Sequence, residues 1–303
     1  MKKRIILTGA TGLVGKSLVK KLNIEYEIVI FSRSAEKARL VFPGLECVEY
    51  NYSSPEKWEK YIEGSFAIIH LAGENVASGR WTKYQKQKIY DSRILSTSNF
   101  VKAINNCKQK PQVFITSSAT GYYGYSETKT FTEDSEAGNG FLADVCRNWE
   151  KAASENLSAN TRHVAIRTGI VLDKNEGALA KMIPPYKFFI GGQIGSGKQW
   201  MSWIHMDDLA EIYIAALKNP VIVGPVNGTA PNPVQMKEFA STLGKVLKRP
   251  SMFPVPGFVL KVLMGEAAEI ALDGARVLPQ KMLEAGFNFQ YPNLRSALVE
   301  IIN

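Results

Sequence analysis

The stretch GATGLVG at residues 9–15 constrains this chain more than any other. It follows a short apolar run, Arg4–Thr8, that reads as a β-strand, and it opens an amphipathic pattern over 13–22 with the period of a helix. The three glycines at that junction have separate jobs. Gly9 permits a tight turn, Gly12 lets a phosphate-bearing ligand approach the backbone, and Gly15 lets the helix pack close to the strand. The diphosphate of such a ligand sits at the positive end of the helix. A glycine loop alone is a weak signal. Between a strand and a helix it specifies a dinucleotide-binding α/β sheet.

The first 170 residues extend that pattern. Strand candidates at Arg4–Thr8, Glu27–Phe31, Leu45–Tyr50, Phe66–Leu71, Gln112–Ser117 and His163–Thr168 alternate with helix candidates near 13–22, 55–62, 83–106 and 141–155. Such alternation implies crossover connections and a parallel sheet covered on both faces, a Rossmann doubly wound fold. The N-terminal MKKRIILTG has only Ile5-Ile6-Leu7 as its apolar run, so it reads as this first strand and not as a secretory leader. After residue 172 the character changes. Pro184-Pro185, Gly191-Gly192 and GSGKQ at 195–199 mark irregular connections. WIHMDDLAEIYIAAL at 203–217 starts a helix with Asp207 and Asp208 in its first turn. Pro231 and Pro233 precede a helical pattern near 235–247, and the tail from Pro254 reads as helices broken at Pro279 and Pro292. The expected division is a dinucleotide-binding domain over 1–172, to which residues about 200–230 return, and a smaller, mostly helical substrate lobe over 173–303.

Composition narrows the setting. Apolar residues make up 45% and charged residues 21% of the 303, which suits a packed core. No apolar run approaches the roughly 20 residues that a membrane span takes, so no membrane partner is expected. Cys47, Cys107 and Cys146 are few and widely spaced, without a CxxC, which fits a reducing cytoplasm and argues against a zinc site. No metal is expected. The net charge of +9 is spread along the chain without an arginine-rich block interleaved with aromatics, so nucleic acid is not expected either.

The end of the second strand bears on the cofactor. An NAD site places an acidic residue about 20 positions after the glycines to accept from the ribose hydroxyls. Here EIVIF runs into Ser32-Arg33-Ser34. A hydroxyl and a guanidinium suit a 2′-phosphate, so NADP is expected. The fourth strand ends in IIHLAGEN at 68–75, whose small residues allow close backbone approach to a nucleotide. His70, inside that strand, reads as a core histidine. Glu74 and Asn75 follow at the ligand-binding edge.

Taken together, TGATGLVG, HLAG at 70–73, TSSATGYYG at 116–124, IRTGIVL at 166–172 and WIHMDDLA at 203–210 resemble the extended short-chain dehydrogenase/reductase superfamily, in its epimerase/dehydratase branch. AGENVASGRW at 72–81, DSR at 91–93 and LPQKMLEAGFNFQYP in the tail are similar to an epimerase-like subfamily with its own C-terminal domain, here near 250–303. The resemblance spans nearly the whole chain. It implies that Gly9, Thr11, Gly12, Leu13 and Val14 line the diphosphate and that Ser32 and Arg33 meet the adenosine end. It places Leu71, Ala72 and Gly73 along the nucleotide, and Thr168 and Ile170 near the nicotinamide. Lys88 and Arg93 face cofactor or substrate, or are solvated helix residues.

One departure stands out. Superfamily helices of this kind read Tyr-x-x-x-Lys-x-x-x-Glu, the phenol exchanging the substrate proton and the lysine lowering its pKa from one helical turn away. Anchoring GFLADVCRNWEKAA on Glu150 gives Leu142 and Cys146 in those places. Leucine carries no proton, and the cysteine reads as a small buried apolar residue. Tyr125/Lys129 lies in a loop and Tyr84/Lys88 on the preceding helix, so both matches are rejected. Ser118 matches the superfamily serine that hydrogen-bonds substrate oxygen, with Thr120, Tyr122 and Tyr123 close behind. His205 reads as a capping residue. Two functions follow: an NADP-binding oxidoreductase or epimerase-like enzyme using Ser118 and Tyr122 on a small molecule, in a form that could be oligomeric, or a non-catalytic NADP-binding sensor or interaction protein.

Overall fold

The computed structural model describes residues 2–303. Seven strands form one parallel sheet: β1 (Arg4–Thr8), β2 (Glu27–Ser32), β3 (Glu46–Glu49), β4 (Ala67–His70), β5 (Val113–Ala119), β6 (Arg162–Thr168) and β7 (Gly224–Gly228). Their spatial order is β3-β2-β1-β4-β5-β6-β7. The chain winds outward from β1 to β3, then restarts at β4 on the other side. This reversal opens a crevice at the carboxyl ends of β1 and β4, where ligands of such sheets bind.

Period-2 alternation divides the core. Ile5 and Leu7 of β1 face one side, with Ile28, Ile30, Ile69 and Ile115. Ile6 faces the other, with Val29, Phe31, Ile68 and Phe114. The first side is covered by α1 (Leu13–Leu22) and by a helix over Met206–Lys218, joined through Lys21 Nζ and Glu211 Oε1 at 2.9 Å. The second is covered by a long helix, Lys83–Asn106, whose Phe100 and Ile104 are fully buried. In chain order the helices are α1, α2 (Ala35–Val41), α3 (Lys83–Asn106), α4 (Phe141–Ser154), α5 (Gly177–Lys187), α6 (Met206–Lys218), α7 (Met236–Leu247), α8 (Gly257–Met264), α9 (Glu269–Leu272), α10 (Gln280–Glu284) and α11 (Leu294–Ile302).

Helices α5, α7 and α11 gather around Trp203, Tyr186 and Phe239 as a second cluster beyond the sheet edge. The tail also returns to the core. Arg276–Val277 pairs in parallel with Thr130–Phe131, and Asp208 in the first turn of α6 accepts the N–H groups of Gln290 and Tyr291 at 2.8 and 3.0 Å. His205 caps α6 by accepting from Asp207 N at 3.1 Å.

Three local expectations change. The helix near 55–62 is two short 3₁₀ turns, Pro55–Lys57 and Glu59–Tyr61, because Trp58 is buried and donates to Asn51 O at 2.9 Å, which draws the chain inward. Helix α2 was not foreseen; Ser34 caps it by accepting from Lys37 N at 3.3 Å. Strand β7, GPVNG, was not foreseen either. Among the described residues no helix is long and apolar enough to cross a membrane.

Candidate active site

The loop between β1 and α1 is built as tightly as its glycines suggest. Gly9 adopts φ +69°, and a Cβ there would lie 3.0 Å from Ala72 N in the loop after β4. A Cβ on Gly15 would lie 2.6 Å from Ala10 Cα, so only glycine lets α1 seat against the loop. Gly12 is different: the nearest atom to a Cβ is Gly9 O at 3.3 Å, and the space outside is open. No side chain caps α1, and among the described residues the first-turn amides of Leu13, Val14 and Gly15 have no acceptor. Such a helix start is suited to an anion.

The loop after β4 is held from below. Thr8 Oγ1 accepts from Leu71 N at 3.1 Å and Ala72 N at 3.0 Å. Its own proton therefore goes to His70 Nδ1 at 2.8 Å. That leaves His70 Nε2 protonated and donating to Ser96 Oγ at 3.0 Å, which meets Tyr50 OH at 2.6 Å. Full burial, followed by the nearby charge of Arg93, pushes the His70 pKa down to about 3. His70 is thus a neutral core residue that places the Leu71–Gly73 backbone.

At the end of β2, Ser32 Oγ accepts from Ser34 N at 3.3 Å. The Arg33 side chain is 91% exposed and only 4.0 Å from Glu74 Oε2 at its nearest ion-pair contact. Arg93, on α3, reaches back to Glu74 O at 2.9 Å and stacks 5.1 Å from the Trp149 ring. A Cβ on Gly73 would lie 3.0 Å from its guanidinium carbon, so Arg93 borders the small-residue loop directly. Burial lowers its pKa, and among the described residues no carboxylate lies within ion-pair distance of it. Open glycine backbone, unpartnered amides and an exposed Arg33 fit a nicotinamide dinucleotide laid across this crevice.

Helix α4 presents Leu142, Cys146 and Glu150 one turn apart. Leu142 is half-buried and packs with Trp81, Ile89 and Met264, against Gly121. Cys146 is buried, and burial followed by the Glu150 carboxylate pushes its thiol up to about 11. Glu150 holds the centre of a polar network. Ser118 Oγ donates to its Oε1 at 2.6 Å, while Arg167 donates to Oε1 at 2.9 Å and to Oε2 at 2.8 Å. Arg167 also donates to Tyr123 OH at 2.8 Å, and Tyr123 passes its proton to Asn227 Oδ1 at 2.7 Å. Burial pushes the Tyr123 phenol up to about 12. The guanidinium of Arg167 lies 3.5 Å from the ring centre of Tyr122, whose own hydroxyl has no partner among the described residues. Sequence reasoning used Glu150 only as an anchor, took Tyr123 with Tyr122 as a nearby phenol, and did not single out Arg167 or Asn227. Their partners lie 17 to 104 positions away, and no local spacing reveals them.

The remaining candidates are spread out. Lys88 is exposed and lies 4.5 Å over the Tyr84 ring, so that pair is real on α3 but faces solvent. Tyr125 donates to Glu127 at 2.7 Å in its loop, which raises its pKa to about 12. Thr168 ends β6 with its hydroxyl turned to Ile166 O at 3.3 Å, and Ile170 is half-buried just beyond. Among the described residues no His, Cys, Asp or Glu cluster could hold a metal ion.

Parallel seven-stranded topology, the glycine loop and the serine at the end of β5 define a nicotinamide-nucleotide-binding protein of the short-chain dehydrogenase/reductase superfamily. Residues 5–143 match the NAD dependent epimerase/dehydratase family, and residues 255–301 match a domain of unknown function, DUF1731. The chain is 44% identical over 98% of its length to the epimerase family protein SDR39U1 homolog, chloroplastic, of Arabidopsis thaliana, covering 86% of that protein. It is 40% identical to epimerase family protein YfhF of Bacillus subtilis (strain 168), over 98% of this chain and 97% of the other. The human epimerase family protein SDR39U1, solved with NADPH, superposes with a TM-score of 0.89 at 32% identity, over 98% of each chain. This chain belongs to that epimerase family, with its Rossmann core and DUF1731 tail.

Proposed function

We propose that this protein is an NADP-dependent oxidoreductase or epimerase-like enzyme acting on a small molecule without a Tyr-x-x-x-Lys pair. The observation that carries the cofactor preference is Arg33, 91% exposed just past β2 beside Ser32 and only 4.0 Å from Glu74, at a place where an NAD site has a carboxylate. That the human relative was solved with NADPH supports it. Gly9, Thr11, Gly12, Leu13 and Val14 hold the diphosphate, and Leu71, Ala72 and Gly73 run along the nucleotide. Arg93, Thr168 and Ile170 lie toward the nicotinamide, with Lys88 further out on α3. When bound, the cofactor supplies or takes the hydride.

The chain's own groups handle the proton. The unpartnered phenol of Tyr122 is the donor or acceptor. Ser118 has given its single proton to Glu150, so it meets substrate as an acceptor, which suits a substrate hydroxyl better than a carbonyl. Three buried free cysteines suit a reducing cytoplasm. A second reading, a sensor or interaction protein without turnover, draws support from Leu142 and from the Cys146 thiol, which is held protonated.

Calorimetry tests the cofactor assignment. NADPH binds at least about tenfold tighter than NADH, or about 1.4 kcal/mol, and Arg33→Asp erases the difference. Equal affinities in the parent protein overturn it. A panel of alcohols with NADP⁺ and of carbonyls with NADPH separates the two functions. Turnover supports the enzyme, while tight binding without turnover across the panel favours the sensor.

A further inference from the structure

The net charge is +9, and part of the basic charge is gathered in two segments outside the glycine loop and the end of β2. Residues 180–190 and 245–264 contain Lys181, Lys187, Lys245, Lys248, Arg249 and Lys261 and no acidic residue, in a chain with 28 Asp and Glu. The structure brings these segments side by side. Phe253 N donates to Gly191 O at 3.1 Å, Val255 N donates to Gln193 O at 2.8 Å, and Ile194 bridges Val255. The Arg249 guanidinium lies 4.7 Å from the Phe189 ring centre.

The same surface exposes large apolar side chains. Phe188 is 75% and Met252 73% exposed, with Phe189, Ile190 and Phe253 beside them. Phe189 holds φ +63°, a left-handed backbone that non-glycine residues rarely adopt, at the tip of the loop after α5. Helix α8 continues the strip. None of its residues is fully buried, and Phe258 and Val262, one turn apart, share an exposed face beside Leu263. An apolar surface of this kind marks an interaction site.

We propose that this face docks on an anionic lipid membrane surface, its apolar side chains entering the headgroup boundary and its basic rim meeting lipid phosphates. Charge selects this occupant. A second copy packed face to face would set each basic rim against another. Nucleic acid would use the charges but leave Met252, Phe258, Val262 and Leu263 in water. An anionic membrane uses both. Lys261 also faces Glu266, Glu269 and Asp273 across a cavity of about 420 Å³, so the other five basic residues carry most of the attraction. Docking of this kind needs no spanning helix, so the sequence-based expectation of no membrane partner does not extend to it. The proposal is independent of the cofactor assignment.

Co-sedimentation of the whole protein with lipid vesicles tests it. The protein pellets with vesicles containing about one-third phosphatidylglycerol but not with phosphatidylcholine alone, and salt near 0.5 M releases it. Phe188→Ser with Phe258→Ser, and separately Lys248→Glu with Arg249→Glu, each lower vesicle binding at least about tenfold, with thermal melting unchanged. No pelleting with anionic vesicles at low salt overturns the proposal, as does pelleting that neither double variant reduces. Self-association in sedimentation velocity that the phenylalanine variants abolish would assign the face to a second copy and also overturns it. So would tight binding of an oligonucleotide by a protein that ignores the vesicles.

Discussion

Ser118 donates its hydroxyl proton to Glu150 Oε1 at 2.6 Å, while Arg167 grips both oxygens of the same carboxylate. The ends of β5 and β6 are therefore tied to α4 around a buried ion pair, with 3% of the Arg167 side chain and 14% of the Glu150 side chain exposed. Glu150→Ala leaves that guanidinium without a counter-charge and is expected to cost about 3–5 kcal/mol of stability. Glu150→Gln keeps an acceptor for Ser118 and costs less. Urea unfolding of the two variants checks the order. Equal midpoints for the alanine variant and the parent would show that solvent compensates the charge.

Gly12 and Gly15 are expected to separate binding from folding. At Gly12→Asp the Cβ meets only Gly9 O, at 3.3 Å, a tight contact that a shift of a few tenths of an ångström relieves, so the variant folds, but its charge faces the diphosphate and NADPH affinity falls beyond detection. At Gly15→Ala the new carbon meets backbone, which cannot swing aside as a side chain can, so stability falls first. Parallel melting curves and NADPH titrations distinguish the two. An unchanged affinity in folded Gly12→Asp would reduce the loop to a turn.

Turnover, once a substrate is found, is expected to depend on Tyr122 and Ser118 and not on Cys146. Tyr122→Phe removes a positioned proton donor and is expected to cost about 100- to 10,000-fold in rate. Cys146→Ala, Tyr84→Phe and Tyr125→Phe stay within a few-fold of the parent. The thiol of Cys146 is buried and held protonated, and the two tyrosines lie exposed away from the site. Loss of turnover in Cys146→Ala alone would reverse the assignment.

Acid lability is expected to track His70. Its pKa is depressed in the folded state to about 3, below the 6.5 of a free histidine. The folded protein resists taking up this proton, so the contribution is complete above pH 6.5 and lost as pH falls below it. The loss approaches about 1.4 kcal/mol per pH unit from this one group. Denaturation midpoints at neutral and mildly acidic pH should diverge in the parent and less so in His70→Gln. A pH slope that the substitution leaves intact would place the sensitivity elsewhere.

Much of the frame was legible because it is written in local spacing. The glycine loop fell between a strand and a helix, and the apolar runs at 4–8, 27–31 and 112–117 became β1, β2 and β5 within a residue or two. Strand β7 escaped notice because GPVNG has two glycines and a proline and gains its place only by pairing with β6 at the sheet edge. Helix α2 escaped because Ser32-Arg33-Ser34 was read for ligand chemistry, although Ser34 also carries the side chain of a cap. The helix expected at 55–62 failed because the burial of Trp58 outweighs local propensity. Arg167 is the clearest case of what spacing cannot show. It sits in an ordinary strand sequence, and its importance comes from Glu150, Tyr122 and Tyr123, all brought to it by the sheet.

The parallel pairing of Thr130–Phe131 with Arg276–Val277 sets an order of assembly during synthesis. Tyr123 and Phe131 cluster with Ala275 and Val277, Ser126 N donates to Gly274 O at 3.1 Å, and Leu278 N donates to Phe131 O at 2.9 Å. None of these partners exists until the ribosome has passed residue 278. By then β1 to β5 and the glycine loop have long emerged, and chains of this kind fold from the N-terminal side as they are made. On the reading above, the nascent protein reaches a stage competent to hold nucleotide well before the segment from Tyr123 to Phe131 meets its partners in the tail. Translation arrested near residue 270 would then leave a chain that holds nucleotide while Thr130–Phe131 still lacks its strand partner.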